Sequence, residues 1–215
     1  MPTTRSYTII GLLLVFVSPL LIQLIRINAG GIPDTPHVLL SEACYWASLL
    51  LLLLIIKYGE KTSFEFLGLR ARFLPTAGTA ALILVGILAA VLIFGGVTLF
   101  VFKQKPPAEP LAQQLKSLPV WVKVLLAIRA GVLEEIFFRG YAINRLKQLT
   151  NNNLLAVILP LCIFALLHAF YGTVFHVVAA FIIGSVLTVF YLRTNNLTAN
   201  IISHSVWDLI GFLIK

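Results

Sequence analysis

The sequence predicts an all-α fold, a polytopic bundle of about seven transmembrane helices. Hydrophobic residues make up 60% of the 215 and charged residues only 11%, against about 45–50% and about 25% in soluble domains. Mean hydropathy is +0.99. The apolar residues fall into runs close to the roughly 20 residues that cross a bilayer as a helix. Together these exclude a soluble core and predict an integral, multi-pass membrane protein. No low-complexity tract and no internal repeat of the kind found in many transporters interrupts the chain.

The elements follow in order. Residues 7–25 form the first helix. Arg5 followed by an apolar run resembles a signal peptide, but the run has the length of a full span and lacks an A-x-A site, so it reads as a retained helix. The second helix covers residues 38–56. Residues 57–72, with "FEFLGLR", read as a charged, amphipathic surface connection. The third helix covers residues 76–102, and "KQKPPAEP" after it is a loop because paired prolines break helices. The fourth begins near Val120 and keeps helical character through "YAINRLKQL" to about Leu149. The fifth, sixth and seventh cover residues 154–170, 173–193 and 197–214. The chain divides into residues 1–119, with three helices, the connection at 57–75 and the loop at 103–119, and residues 120–215, with four helices.

Net charge is +8. In a membrane protein such an excess reports orientation, so nucleic acid is not an expected partner. With the N-terminus inside, Arg5, Lys57, Lys61, Arg70, Arg72, Arg145, Lys147 and Arg193 gather on the cytoplasmic side. Arg26, Lys103, Lys105, Lys116 and Lys215 lie on the other, eight against five. The expected location is the plasma (inner) membrane of a prokaryote, with a cytoplasmic N-terminus. Cys44 and Cys162 have no metal-ligand spacing and read as buried small hydrophobes, not as a disulfide.

The acidic residues carry the functional signal. Asp34, Glu60, Glu65 and Glu109 fall in loops, whereas Glu134, Glu135 and Asp208 fall within helices, as do His168, His176 and His204. An ionisable group at bilayer depth costs at least about 2.5–3.5 kcal/mol, which makes each a functional candidate. In "GVLEEIFFRGYAINRL", Glu135 and Arg139 are four apart and share an α-helical face. Glu134 and Arg139, five apart, would lie about 140° round the axis. Glu135 therefore reads as half of an internal ion pair that orders its surroundings. Glu134 reads as a carboxylate with no intrahelical cation, suited to general-base work, and Ala130 and Gly131 leave room beside it. The fifth helix holds "FALLH", with Phe164 one turn before His168. In the seventh, Asn200, His204 and Asp208 form a polar stripe that must face the bundle interior. The competing reading for each group is interhelical hydrogen-bond glue.

Depth allows the groups to meet. At about 1.5 Å per residue, Glu134 and His168 both lie about 21 Å from the turn joining antiparallel helices four and five, and His204 lies about 10 Å into the last helix. The levels agree if the hairpin of helices four and five projects about two turns beyond the membrane face.

The three stretches together resemble the CPBP intramembrane protease family, which includes type II CAAX prenyl endopeptidases and bacteriocin-processing and immunity proteins. Its EExxxR, FxxxH and HxxxN/D patterns are matched by Glu134-Glu135-Ile-Phe-Phe-Arg139, Phe164-Ala-Leu-Leu-His168 and His204-Ser-Val-Trp-Asp208. "RTNNLTANIISH" is also similar to the family's connection into its last motif. The resemblance covers Val120 to the C-terminus, which it makes the catalytic core.

The resemblance implies hydrolysis of a peptide bond in a membrane-embedded or membrane-anchored protein or peptide. Glu134 and His168 would hold the water, His204 and Asp208 would face the oxyanion, and Glu135 and Arg139 would order the site. Asp208 stands where an Asn would donate directly. It is expected to accept from His204 and leave that imidazolium as the donor. No cofactor is expected. The alternative is a catalytic Zn²⁺ on Glu134, His168 and His204, three ligands with an open position but without HExxH. From other classes come a proton-coupled carrier and a non-proteolytic membrane scaffold. Glu42, His37 and His176 are left without a role, His176 reading as interfacial. Snorkelling and a supporting place at the site both stay open for Glu42.

Overall fold

The structure is a computed structural model that describes residues 4–28, 35–70, 72–103, 118–171 and 173–214. Among these there are seven main helices and no strand. Helix α1 is Thr4–Asn28. α2 is Thr35–Leu54, continued by a π turn at Ile55–Gly59. A 3₁₀ turn at Phe64–Leu67 follows. α3 is Phe73–Gly96, with a π extension at Val97–Val101. α4 is one composite helix over residues 120–150: Val120–Arg129 is α, Ala130–Ile143 is π and Asn144–Thr150 is α. α5 is Asn153–Leu167, closed by a 3₁₀ turn at His168–Tyr171; α6 is Val174–Thr194 and α7 is Leu197–Leu213. The fourth helix thus runs unbroken through "YAINRLKQL". The charges expected at Asp34, Lys105, Glu109 and Lys116, the side chain of Arg26, and Lys215 lie outside the described residues.

Five helices, in α1, α2, α3, α5 and α6, are long and apolar enough to cross a membrane. The two that fall short are α4 and α7, the helices carrying Glu134, Glu135, Arg139, His204 and Asp208. They can be polar because of where they sit. In the π segment of α4, every residue except Val132 and Glu134 is buried. It packs against α1, α2, α5 and α7, with Leu133, Phe137, Phe138 and Tyr141 all at most 1% exposed. α3 lies at the opposite extreme, and its exposed Leu82, Val85, Leu92 and Ile93 form the kind of surface that lipid covers.

Two hairpins use the same turn chemistry. Asn151 ends α4 in the left-handed region (φ 51°), and Asn152 caps α5 by accepting from the Leu155 amide at 3.0 Å. Asn195 ends α6 (φ 46°), and Asn196 caps α7 by accepting from the Ala199 amide at 3.1 Å. Asparagine suits both positions, tolerating the left-handed backbone and supplying a cap oxygen.

The connection after α2 is amphipathic, with Lys61, Thr62, Ser63, Glu65 and Arg70 exposed and Glu60, Leu67 and Gly68 turned inward. Leu67 is 1% exposed, and Gly68 (φ 80°) lies so close to Asn195 that an added Cβ would sit 2.7 Å from its Oδ1. The Gly68 carbonyl accepts from the Leu197 amide, and Arg70 donates to the Thr194 and Asn195 carbonyls. Glu60 is buried, not in a solvated loop. It pairs with Arg145 at 2.5 Å and accepts from the Tyr141 hydroxyl at 2.7 Å. The connection thereby ties α2 to α4 and to the α6–α7 turn. Cys44 is exposed on the bundle exterior, not buried, and Cys162 is intermediate; both are free thiols.

The space beside Gly131 is occupied by α7. A Cβ there would lie 2.1 Å from Ser205 Oγ and 2.7 Å from the Ile201 carbonyl. Small residues give membrane helices this close approach. Gly131→Ala must push α7 away, since the Ile201 carbonyl is backbone, and should cost about 1–3 kcal/mol. Gly211→Ala, with nothing within 4 Å, should be near neutral. Unfolding of the two variants in mixed detergent micelles checks the contrast.

Candidate functional site

Glu135 is the most enclosed group of the site. Its side chain is 0% exposed, and both oxygens are engaged. Oε1 accepts from Arg139 Nη1 at 2.8 Å and from His204 Nδ1 at 2.9 Å; Oε2 accepts from Asn200 Nδ2 at 3.1 Å. Arg139 is spread in turn over α6, with Nε to Thr188 Oγ1 at 3.3 Å and Nη2 to the Gly184 carbonyl at 3.1 Å. Its guanidinium lies 4.4 Å above the Phe164 ring. The pairing expected from four-residue spacing is present.

Glu134 has a different setting. Its side chain is 18% exposed, and it lines a cavity of about 30 Å³ with His168, Arg129, Tyr45, Phe164 and Gln23. By that measure the space holds a water or two. The expectation that Glu134 has no intrahelical cation fails: Arg129 Nη1 donates to its Oε1 at 3.0 Å. The two residues are five apart. In an α-helix that spacing diverges, but the π winding that starts at Ala130 closes i→i+5 turns and brings them together.

His168 stands at the end of α5 rather than within it, where the helix tightens to 3₁₀. Its Nδ1 lies 2.8 Å from the Phe164 carbonyl. A carbonyl only accepts, so Nδ1 carries the proton and a neutral ring has its lone pair on Nε2. Phe164 also supports the ring, with centroids 4.8 Å apart.

His204 is oriented by a different carboxylate from the one expected. Glu135, not Asp208, accepts from its Nδ1. Nε2 then faces two further carboxylates, Asp208 Oδ2 at 3.7 Å and Glu134 Oε2 at 4.0 Å. Neither distance is a hydrogen bond. Asp208 is 25% exposed at its side chain.

Glu134, His168, His204 and Asp208 therefore belong to one neighbourhood, with Glu135 and Arg139 behind it. Sequence reasoning missed Arg129, because α-helical arithmetic hid its partner. Glu42 on α2, for which the sequence allows snorkelling or a place at the site, is 3% exposed and accepts from Arg129 Nε at 3.1 Å. Its signal was an acid inside an apolar run. Asn200 was seen as part of a stripe, but its partner on another helix was not. His176 stays outside the cluster, with Thr173 Oγ1 2.7 Å from its Nδ1.

As zinc ligands, Glu134, His168 and His204 do not converge: among the described residues no three His, Cys, Asp or Glu side chains are placed to hold a metal ion. The Arg129 guanidinium at Glu134 also puts a positive charge where a divalent cation would bind.

Arg139→Ala would leave the Glu135 carboxylate buried beside only an amide and a histidine. Breaking a buried pair in this way costs about 3–5 kcal/mol. Thermal unfolding of the purified variant in detergent should show that loss, and an unchanged midpoint would contradict the role assigned to the pair.

Residues 116–210 match the family model described as type II CAAX prenyl endopeptidase Rce1-like. No curated protein and no solved structure matches the chain. The matched stretch holds α4 to α7 and contains Glu134, Glu135, Arg139, His168, His204 and Asp208. Over that stretch, set in a bundle of apolar helices, the chain is similar to the type II CAAX prenyl endopeptidase Rce1-like family, a family of proteases.

Proposed function

We propose that the chain hydrolyses its peptide substrate with a water activated by Glu134 and His168, and without a metal. One observation carries this reading: Glu134 and His168 line the same water-sized cavity, with His204 Nε2 4.0 Å from Glu134. The water sits between the Glu134 carboxylate and the His168 Nε2 lone pair. Its oxygen attacks the scissile carbonyl carbon and its proton passes to Glu134. The carbonyl π electrons move onto oxygen, giving a tetrahedral oxyanion. When this collapses, the C–N bond breaks and Glu134 returns the proton to the leaving amine. Proton transfer of this kind contributes about 10²–10⁴-fold.

The oxyanion needs a donor. The Glu135 carboxylate, already accepting from Arg139 and Asn200, fixes the His204 proton on Nδ1. Nε2 can donate only if the ring is an imidazolium, and three carboxylates border the ring to balance that charge. His204 thus acts as a charged donor, and Asp208 as a counter-charge near its tip. On this reading residues 120–215 form the catalytic core. The substrate is a membrane-embedded or membrane-anchored protein or peptide. The basic residues at the α2–α3, α4–α5 and α6–α7 connections mark the cytoplasmic face of a prokaryotic inner membrane.

Glu134→Ala should lower cleavage of a tagged membrane substrate by at least about 10²-fold while substrate capture persists. Comparing new peptide termini in membranes expressing wild type and Glu134→Ala would identify the substrate. Ion flux in proteoliposomes that disappears with Glu134, without any cleavage, would point to a carrier instead. Binding without cleavage by the wild type would point to a scaffold. Asp208→Asn should retain activity or change its pH–rate profile; complete loss in a folded protein contradicts the role given to Asp208. Activity should also survive a chelator, with no zinc in the purified active protein.

A further inference from the structure

We propose that Arg129, held by Glu42, is a positioning residue that clamps the Glu134 carboxylate and decides which of its oxygens faces the water. The inference rests on the reading of Glu134 as the base. Three features define the clamp. Arg129 Nε donates to Glu42 Oε1 at 3.1 Å and Nη1 donates to Glu134 Oε1 at 3.0 Å. The guanidinium carbon lies 4.5 Å over the Tyr45 ring centroid. Glu42 and Tyr45 are three apart on α2 and so share a face. Together they form a receptor for the guanidinium, a carboxylate that accepts from its Nε and an aromatic ring beneath it. Arg129 is therefore fixed before Glu134 is considered.

An arginine that only glued helices together would need the bond to Glu42. Its bond to Glu134 joins two residues of the same helix and adds nothing to that hold. It does fix the carboxylate. With Oε1 committed to Arg129, Oε2 is the oxygen turned toward His204, at 4.0 Å. Arg129 also lines the cavity itself. Arginine suits this work because its rigid fork spans two acceptors, which a lysine ammonium on a flexible stem cannot do in fixed geometry. The clamp reaches outside residues 116–210: the helix that completes it, α2, lies in the half of the chain that the family match does not cover.

The test uses the full-length protein in proteoliposomes with a tagged membrane substrate. Arg129→Gln should lower kcat about 10²-fold, the scale of a misplaced reacting group. KM should stay within about threefold, because the lost interaction serves the transition state. Glu42→Gln should lower kcat less, by about tenfold, and Arg129→Lys should fall between the two. In the Arg129→Gln background, Glu42→Gln should cause no further loss, because it acts through the arginine. The pH–rate profile of Arg129→Gln should change shape, since the base has lost its fixed neighbour.

Wild-type kcat in folded Arg129→Gln or Glu42→Gln would overturn the clamp. So would additive losses in the double variant, or losses that simply track a lower unfolding midpoint. If Arg129→Gln does not fold, Arg129→Lys and Glu42→Gln carry the same decision. Cleavage that survives Glu134→Ala removes the parent reading as well. Cleavage abolished by Glu134→Ala with full kcat in the clamp variants removes the clamp alone.

Discussion

A carboxylate with no exposed surface, Glu135, sets the terms for the packing of α4, α6 and α7. Removing such a charge from water costs several kcal/mol, recovered only with good geometry and no lone pair wasted. Arg139 supplies the charge, and Asn200 and His204 supply the remaining donors. Each partner then needs its own support. Arg139 finds it on α6 at Thr188 and Gly184, and Asn200 donates to the Leu187 carbonyl at 2.8 Å. Satisfying one acid thus draws α4, α6 and α7 into a single arrangement. His204 reaches its place and its tautomer as a by-product.

The neighbouring acid shows how environment separates like residues. Glu134 and Glu135 are adjacent in sequence, yet one is saturated and the other borders a cavity. The π segment accommodates both, since Glu135 meets its arginine four residues later and Glu134 meets one five residues earlier. A π segment is costly to form and recurs at functional sites. Here it lets one helix aim two carboxylates and two guanidinium groups without a break in the backbone. Phe164 touches both groups, with the Arg139 guanidinium 4.4 Å over its ring and the tilted His168 ring 4.8 Å away.

Helix ends were legible to within a few residues because apolar runs, the prolines after Lys103 and the paired asparagines are local signals. The Glu135–Arg139 pair was legible for the same reason, being local and α-spaced. Other features were not local. Glu60 looked like a loop acid because its partner Arg145 lies 85 residues away, and no periodicity links them. The contact of α7 with Gly131 came from helix packing, so what read as room for an approaching group is filled by backbone. Arg129 was missed for a sharper reason. Its partner is only five residues away, but the angle used to judge the pair belongs to the α-helix, and the chain departs from it at Ala130. The resemblance pairs Asp208 with His204, whereas a carboxylate from another helix holds the closer position. Side chains from different helices compete for one donor, and spacing along a single helix carries no trace of that competition.

The four ionisable residues in the middle of α4, Arg129, Glu134, Glu135 and Arg139, sum to zero charge, and both ion pairs close within the helix itself. The helix therefore brings its own counterions into the low-dielectric interior. Glu42, on α2, has already been synthesised when α4 emerges. Asn200 and His204, on α7, follow about sixty-five residues after the glutamates, and they contribute dipoles and a titratable ring to a stretch of helix already neutral. During synthesis the middle of α4 is thus a neutral stretch that can wait for α7, and the surroundings of Glu135 close only when that helix arrives.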